Sequence, residues 1–344
     1  MTEHVIAMIE RMFVNRAFGL GSKGDEMSGE VTVDDFTFVS DADKATIYGR
    51  RWLPIAGKAP RALIQITHGI SEHSGRYDRF ARILADQGYA VYALDLRAHG
   101  NTAPAGTLGL AGVDAWGLMK SDIFQLGEIV RSAYPGLPLI AFGHSMGSAL
   151  TQAYAQERGA KLAGVVLCGT MGSFPGQSAT AIHALLPKLK QIAESHHANE
   201  PSEFMQQMLI ALNAPFVNAD SVVGTEWMTG DSTEQARFLA DPLCGALFCN
   251  SLIYAVVEGF QSLWTCDAEM RIPPGLPVLI ICGTEDLVGG NTDTVRHLVN
   301  RYMRQRHLDL SYVFYPGARH EILNEACKDK VHRDVVGWLS SVLG

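Results

Sequence analysis

The sequence predicts an α/β fold: a mostly parallel eight-stranded sheet with helices on both faces and a helical cap inserted after strand 6. Two observations predict the sheet. Six short, nearly continuous apolar runs recur along the chain: ALIQIT (62–67), YAVYALDL (89–96), PLIAFG (138–143), LAGVVLCG (162–169), PVLIICG (277–283) and LSYVFYPG (310–317). Such runs suit parallel strands covered on both faces. Between most of them lie segments of helical period, Tyr77 to Gln87 and Ala115 to Ala133 among them, so the alternation implies right-handed crossovers. A third observation predicts the cap. The 106 residues 171–276 hold no buried-strand run and are far too many for a plain loop in a compact domain.

Taken in order, residues 1–30 read as an N-terminal helical extension, apolar at Val5, Ile9, Met12, Phe13 and Phe18. They lack a basic leading region, and Glu10-Arg11 interrupts any long apolar run, so they do not read as a signal peptide. FTFVS (36–40) and ATIYGRRWL (45–53) read as a paired antiparallel opening, with Asp41-Ala42-Asp43 in the turn. Residues 31–170 and 277–344 then form the core, and 171–276 the cap. Inside the cap, Phe204, Met208 and Leu212 recur at helical spacing, and Ser232 with Gln235 stands in capping-box register.

Composition narrows the function. Apolar residues are 47% and charged residues 19% of 344, as in a globular enzyme, and the net charge of −8 argues against nucleic acid or an anionic membrane as the main partner. The six cysteines form no C-x-x-C pair and no cluster of zinc-ligand spacing, so neither a disulfide framework nor a metal is expected. No cofactor is implied.

The stretch FGHSMGSAL (142–150) contains G-H-S-M-G, placed between the run PLIAFG and a segment of helix formers. A strand, a tight turn and a helix are the context in which a serine becomes an exposed nucleophile, with glycines two residues away on either side allowing close approach. A serine at its ordinary pKa needs a general base, itself oriented by a carboxylate, in the chain order Ser, acid, His. After PVLIICG come Thr284-Glu285-Asp286, and after LSYVFYPGA come Arg319-His320. Either acid can serve at this point. Of the 12 histidines, His320 is singled out because it follows the last strand, whereas His297, His307 and His332 fall on or near helices. The tetrahedral oxyanion also needs donors. The N–H of Met146, after the nucleophile, and that of Ile70, in the loop HGISEHSGRY, are the candidates, while His68 reads as a residue that orders that loop.

From about residue 34 to its C-terminus the chain resembles the monoglyceride lipase and lysophospholipase-like branch of the α/β-hydrolases. HGISEHSGRY, LDLRAHG, GHSMGS, DPLCG, GTEDLV and ARHEILNE carry the resemblance. It implies Ser145, Asp286 and His320 as the catalytic triad, with Asp286 preferred to Glu285. It implies Ile70 and Met146 as the oxyanion hole. It also places Glu72 and Arg76 near the polar head of the substrate, beside the alternative that they form an ion pair holding their loop. Two departures stand out. Ala98 replaces a glycine common in the family, and Leu323 stands where the mammalian monoglyceride lipase has a polar histidine near the glycerol.

The expected activity is a serine carboxylester hydrolase of EC class 3.1.1, acting through an acyl-enzyme on single-chain acyl glycerol esters. A lysophospholipase, a short-chain carboxylesterase and an aminopeptidase of the same fold are the alternatives. A non-catalytic binding protein is the alternative from another class. The expected partner is a small-molecule acyl ester or lipid, met in the cytoplasm or at a lipid surface touched by the cap or the N-terminal helix; the oligomeric state is left open. Phe204, Met205, Met208, Leu209, Phe216 and Trp227 suit an acyl chain or the cap's own core.

Overall fold

A computed structural model describes residues 31–55, 58–173, 177–217, 224–305 and 309–344, with side chains of 177–183 left out. The N-terminal extension therefore lies outside the described residues, as does His307. The strands are β1 (Thr32–Val39), β2 (Thr46–Leu53), β3 (Ala62–Thr67), β4 (Tyr89–Leu94), β5 (Leu139–His144), β6 (Gly164–Cys168), β7 (Pro277–Gly283) and β8 (Asp309–Tyr315). They form one sheet in the order β1-β2-β4-β3-β5-β6-β7-β8. Only the β1–β2 and β2–β4 pairings are antiparallel.

The continuous apolar runs become strands that are buried along almost their whole length from β3 to β7. Alternate residues of these strands feed two separate cores, as the two-residue period of a strand requires. Ile64, Ile66, Val91, Phe142, Val166 and Ile281 face helices α1 (Asp78–Asp86) and α10 (Lys328–Leu343). Leu63, Tyr92, Ala141, Val165, Leu167 and Ile280 face α2 (Ala115–Ala133), α3 (Met146–Arg158) and α9 (Asp293–Arg304).

Between β6 and β7 lie α4 (Gln177–Ala193), α5 (Glu203–Asn213), α6 (Ser232–Ala240), α7 (Asn250–Leu263) and the short α8 (Cys266–Glu269). Their packing divides the insertion. Leu252, Ile253, Val256 and Leu263 of α7 belong to the same core as α2 and α3, and a Cβ on Gly259 would strike the Trp116 indole. Trp227, Met228 and Phe238 instead form a small separate cluster with Phe216 and Leu209. The cap of α6 differs from the expected box: Asp231, one residue earlier, accepts from the N–H groups of Thr233 and Glu234. A carboxylate reaches both N–H groups and also favours the positive end of the helix, so it outcompetes the serine hydroxyl.

All six cysteines are free. No helix among the described residues is long and apolar enough to cross a membrane.

Candidate active site

The parallel strands aim their C-terminal ends at one edge of the sheet, and the loops leaving β3, β5, β7 and β8 meet there. The turn after β5 is the tightest. Ser145 sits at φ 55°, ψ −122°, a strained conformation for a residue with a Cβ, and its N–H donates to the Cys168 carbonyl of β6 at 3.0 Å. Glycine is required on both sides of it. A Cβ on Gly143 would collide with the Gly147 carbonyl, and one on Gly147 with the carbonyls of Thr67 and His68.

His320 and Asp286 complete a hydrogen-bonded chain. The His320 Nε2 lies 2.8 Å from Ser145 Oγ, and its Nδ1 lies 3.0 Å from both carboxylate oxygens of Asp286. The Asp286 side chain is fully buried, and its Oδ1 also accepts the N–H groups of Val288 at 2.9 Å and Gly289 at 3.4 Å. Glu285 is exposed. A carboxylate acceptor at Nδ1 makes that nitrogen the N–H of the neutral ring, which leaves Nε2 free to take the serine proton.

Two N–H groups stand beside the serine. Met146 is the first residue of α3, where backbone donors have no partner within the helix. Ile70 follows Gly69, whose own N–H is taken by Glu72 Oε1 at 2.6 Å. Neither the Ile70 nor the Met146 N–H has an acceptor among the described residues. His68 orders this loop: it accepts the Leu96 N–H at Nε2 and bonds the Gly69 carbonyl through Nδ1, each at 2.8 Å. Its two nitrogens thus have one donor and one acceptor role, and the ring is neutral.

Glu72 and Arg76 lie together. Glu72 Oε2 accepts from Arg76 Nη1 at 3.0 Å, and the guanidinium also grips Glu321 through Nη1 and Nη2 at 2.6 and 2.8 Å. Glu72 lines the cleft above Ser145, whereas Arg76 lies behind it. Burial alone would raise the Glu72 carboxyl, but the His144 hydrogen bond and the Arg76 charge outweigh it and hold the group well below its ordinary value.

A cleft of about 180 Å³ opens over the serine. Its floor is Ile70, His144, Ser145 and His320, and its roof is supplied by Met205, Leu209, Trp227, Met228, Phe238 and Leu239 of the insertion. Of the six apolar residues offered for an acyl chain, Met205, Leu209 and Trp227 line this cleft. Phe204 and Met208 pack against the large core and Phe216 against the small cluster.

Sequence reasoning passed over two residues here, His144 and Glu321, and gave Trp227 no place beside the base. His144, the variable position of the motif, contacts Glu72 and the His320 backbone. Glu321, beside His320, pairs with Arg76. The Trp227 indole lies 5.2 Å from the His320 ring at an angle of 31°. The first two were flagged only by being titratable residues adjacent to catalytic candidates. Ala98, at the family's glycine position, has φ 66°, which explains the usual glycine there. His332, set aside in the sequence as a helix residue, is buried and stacks on Phe80.

A serine, an imidazole and a buried carboxylate on these loops of this sheet define an α/β-hydrolase. A family model described as "Serine aminopeptidase, S33" matches residues 58–327, and the chain belongs to that family. It is 33% identical over 315 residues to Homo sapiens monoglyceride lipase, covering 90% of this chain and 92% of the relative. It is 27% identical to the monoacylglycerol lipase of Mycolicibacterium smegmatis, covering 83% and 90% of the two chains. Among solved structures, a thermostable carboxyl esterase from Bacillus coagulans, in complex with glycerol, superimposes with a TM-score of 0.81 at 27% identity, covering 91% of this chain and 99% of that one.

The buried histidines carry a pH prediction. Burial holds His68 below its ordinary pKa, and burial together with the neighbouring His68 holds His99 down to about 3. Below pH 6.5 the unfolded chain therefore binds protons that the folded chain refuses, and stability must fall. For His99 the expected loss approaches roughly 1.4 kcal/mol per pH unit, and His68 adds to it in the same direction. His144 is shifted the other way: its contribution is fully present below its unfolded pKa and is lost only as pH rises through the raised value, so it is constant below pH 6.5 and does not offset this loss. Denaturant midpoints measured from pH 7 to 4.5 should drop steadily; a flat profile would contradict the neutral state of this pair.

Proposed function

We propose that the protein is a serine carboxylester hydrolase that cleaves single-chain acyl glycerol esters. The observation that carries this reading is the Asp286–His320–Ser145 chain opening into a cleft whose roof is apolar. In the first step Ser145 Oγ attacks the ester carbonyl and its proton passes to His320 Nε2. The oxyanion is met by the N–H groups of Ile70 and Met146, and the Asp286 carboxylate stabilises the imidazolium. Collapse returns that proton to the leaving glycerol oxygen and leaves an acyl-serine. Water, deprotonated by His320, then releases the fatty acid and restores the serine.

The family description makes an aminopeptidase the reading to weigh. Such an enzyme needs a carboxylate free to hold the substrate's ammonium. The two carboxylates lining the cleft, Glu72 and Glu321, are already engaged by Arg76, and Glu72 also by Gly69, Tyr77 and His144. Among acids of the insertion, Asp231 caps α6 and pairs with Lys328, and Glu200 pairs with His197. Their commitment favours an ester with a neutral head.

Residues from α4 to α6 act as the cap of this reading, with α7 a part of the scaffold. Ile210, Val217 and Leu239 are exposed apolar side chains of that cap, and they support contact with a lipid surface during substrate uptake. Each methylene buried under the roof contributes about 0.8 kcal/mol, so kcat/KM should climb with acyl length until the cleft is full. The test is kcat/KM for C2 to C18 monoacylglycerols and one matched triacylglycerol. A rising profile with monoacylglycerol well ahead is expected. A flat or falling profile beyond C4, with no preference for the monoacylglycerol, would leave a general esterase.

A further inference from the structure

Four buried or nearly buried side chains with no step in this chemistry meet behind the serine. They come from three places in the chain: Glu72 and Arg76 from the segment after β3, His144 from the end of β5, and Glu321 from the loop after β8. Glu72, His144 and Glu321 are buried, and the Arg76 side chain is 10% exposed. Removing charges from water is costly unless they are matched within the group. Two carboxylates and one guanidinium leave a net negative charge.

His144 decides the balance. Its Nδ1 lies 3.1 Å from Glu72 Oε1, and its Nε2 lies 3.4 Å from the carbonyl oxygen of His320. Both neighbours are acceptors, and neither can donate. A neutral imidazole has one donor nitrogen and one acceptor nitrogen, so it would turn a lone pair toward one of these oxygens. Only the imidazolium donates to both, and it brings the cluster to zero charge.

We propose that His144 is held as an imidazolium, the fourth charge of a neutral cluster with Glu72, Arg76 and Glu321, and that His144 and Glu321 are positioning residues for His320. They grip the base from two neighbouring points. His144 holds the His320 carbonyl, and the Arg76 fork holds the side chain of the next residue. Backbone bonding agrees, since the Glu321 N–H donates to Met228 O at 2.7 Å. Burial opposes charging His144, but the Glu72 carboxylate outweighs it and raises the imidazole above its ordinary value. Burial is likewise outweighed at Glu321, where Arg76 holds the carboxyl below its ordinary value. The other titratable groups alongside are Tyr77, whose hydroxyl donates to the same Glu72 oxygen at 2.8 Å, His68, neutral by its bonding, and His320 itself, 4.9 Å away between ring centroids and backed by Asp286.

The kinetic half of this proposal rests on His320 being the base; the charge state does not. Ring-nitrogen NMR of 15N-histidine-labelled protein, assigned with His144→Gln, reads the charge directly. In the unsubstituted enzyme both His144 nitrogens should stay protonated through the range in which an ordinary histidine loses its proton. In Glu321→Gln the ring should lose a proton within that range. On a soluble short-chain ester, kcat should then fall about 10- to 100-fold through the shifted base, with little change in KM. Glu321→Asp, which keeps the charge, should retain the imidazolium and recover part of the rate. A singly protonated His144 at pH 7 in the unsubstituted enzyme overturns the proposal, and that spectrum requires neither a variant that folds nor an active enzyme. An undiminished kcat in Glu321→Gln overturns the positioning role. Failure of the unsubstituted enzyme to hydrolyse any ester would count against the reading of the previous subsection and leave the spectrum as the test of this one.

Discussion

Ser145→Ala is expected to abolish ester hydrolysis, lowering kcat by about 10⁴-fold or more. The methyl group leaves no atom to form the acyl-enzyme, and the residual rate is what the oxyanion donors supply alone. His320→Ala should cost a similar factor, because Ser145 Oγ then has no base at the 2.8 Å now occupied by Nε2. The two losses should not add. Serine and histidine act in a single proton transfer, so the double variant should be scarcely slower than either single one. Both variants should fold. The Ser145 hydroxyl makes no bond apart from that to His320 among the described residues, and the strained turn is held by the sheet and by the Cys168 carbonyl rather than by the hydroxyl. Initial rates with circular dichroism spectra check this, and a Ser145→Ala enzyme that kept more than about a tenth of the rate would remove the serine from the chemistry.

Asp286→Asn carries the second large effect, again about 10⁴-fold. The substitution preserves shape, and its cost comes from proton placement. Val288 and Gly289 donate to Oδ1, so the amide oxygen takes that position and the NH₂ group falls at Oδ2, 3.0 Å from His320 Nδ1. A donor there competes for the Nδ1 lone pair, and the amide oxygen, already taken by two N–H groups, is a weaker acceptor than the carboxylate, so the tautomer with its proton on Nε2, facing the serine, is favoured. The base is then already occupied. Glu285→Gln should leave the rate almost unchanged, because that side chain is exposed. Parallel measurement of the two variants separates these neighbours, and a larger loss from Glu285→Gln would reassign the acid.

The core was legible because burial on both faces writes a strand as an unbroken apolar run. β3 to β7 could be read almost to the residue. The nucleophile turn was legible because its backbone crowding admits only glycine at positions 143 and 147. What sequence could not show was which side chains meet from distant loops. Arg76 and Glu321 are 245 residues apart, and nothing local to either states that they pair. His144 looked like the free position of a motif because its role depends on two acceptors brought up by other loops. The insertion was equally opaque. The spacing of Phe204, Met208 and Leu212 indicated a helix, found at 203–213, but only packing shows that Met205 and Leu209 line the cleft over the serine and Met208 does not.

Active-site labelling tests the central claim most directly. A fluorophosphonate reacts with a serine only when a base has activated it and donors receive the new oxyanion. Incubation followed by intact-mass and peptide mapping should find one phosphonyl group per chain, on Ser145, and none on the His320→Ala enzyme. An unlabelled chain, or a label on any other residue, would contradict the assignment of Ser145 as the activated nucleophile.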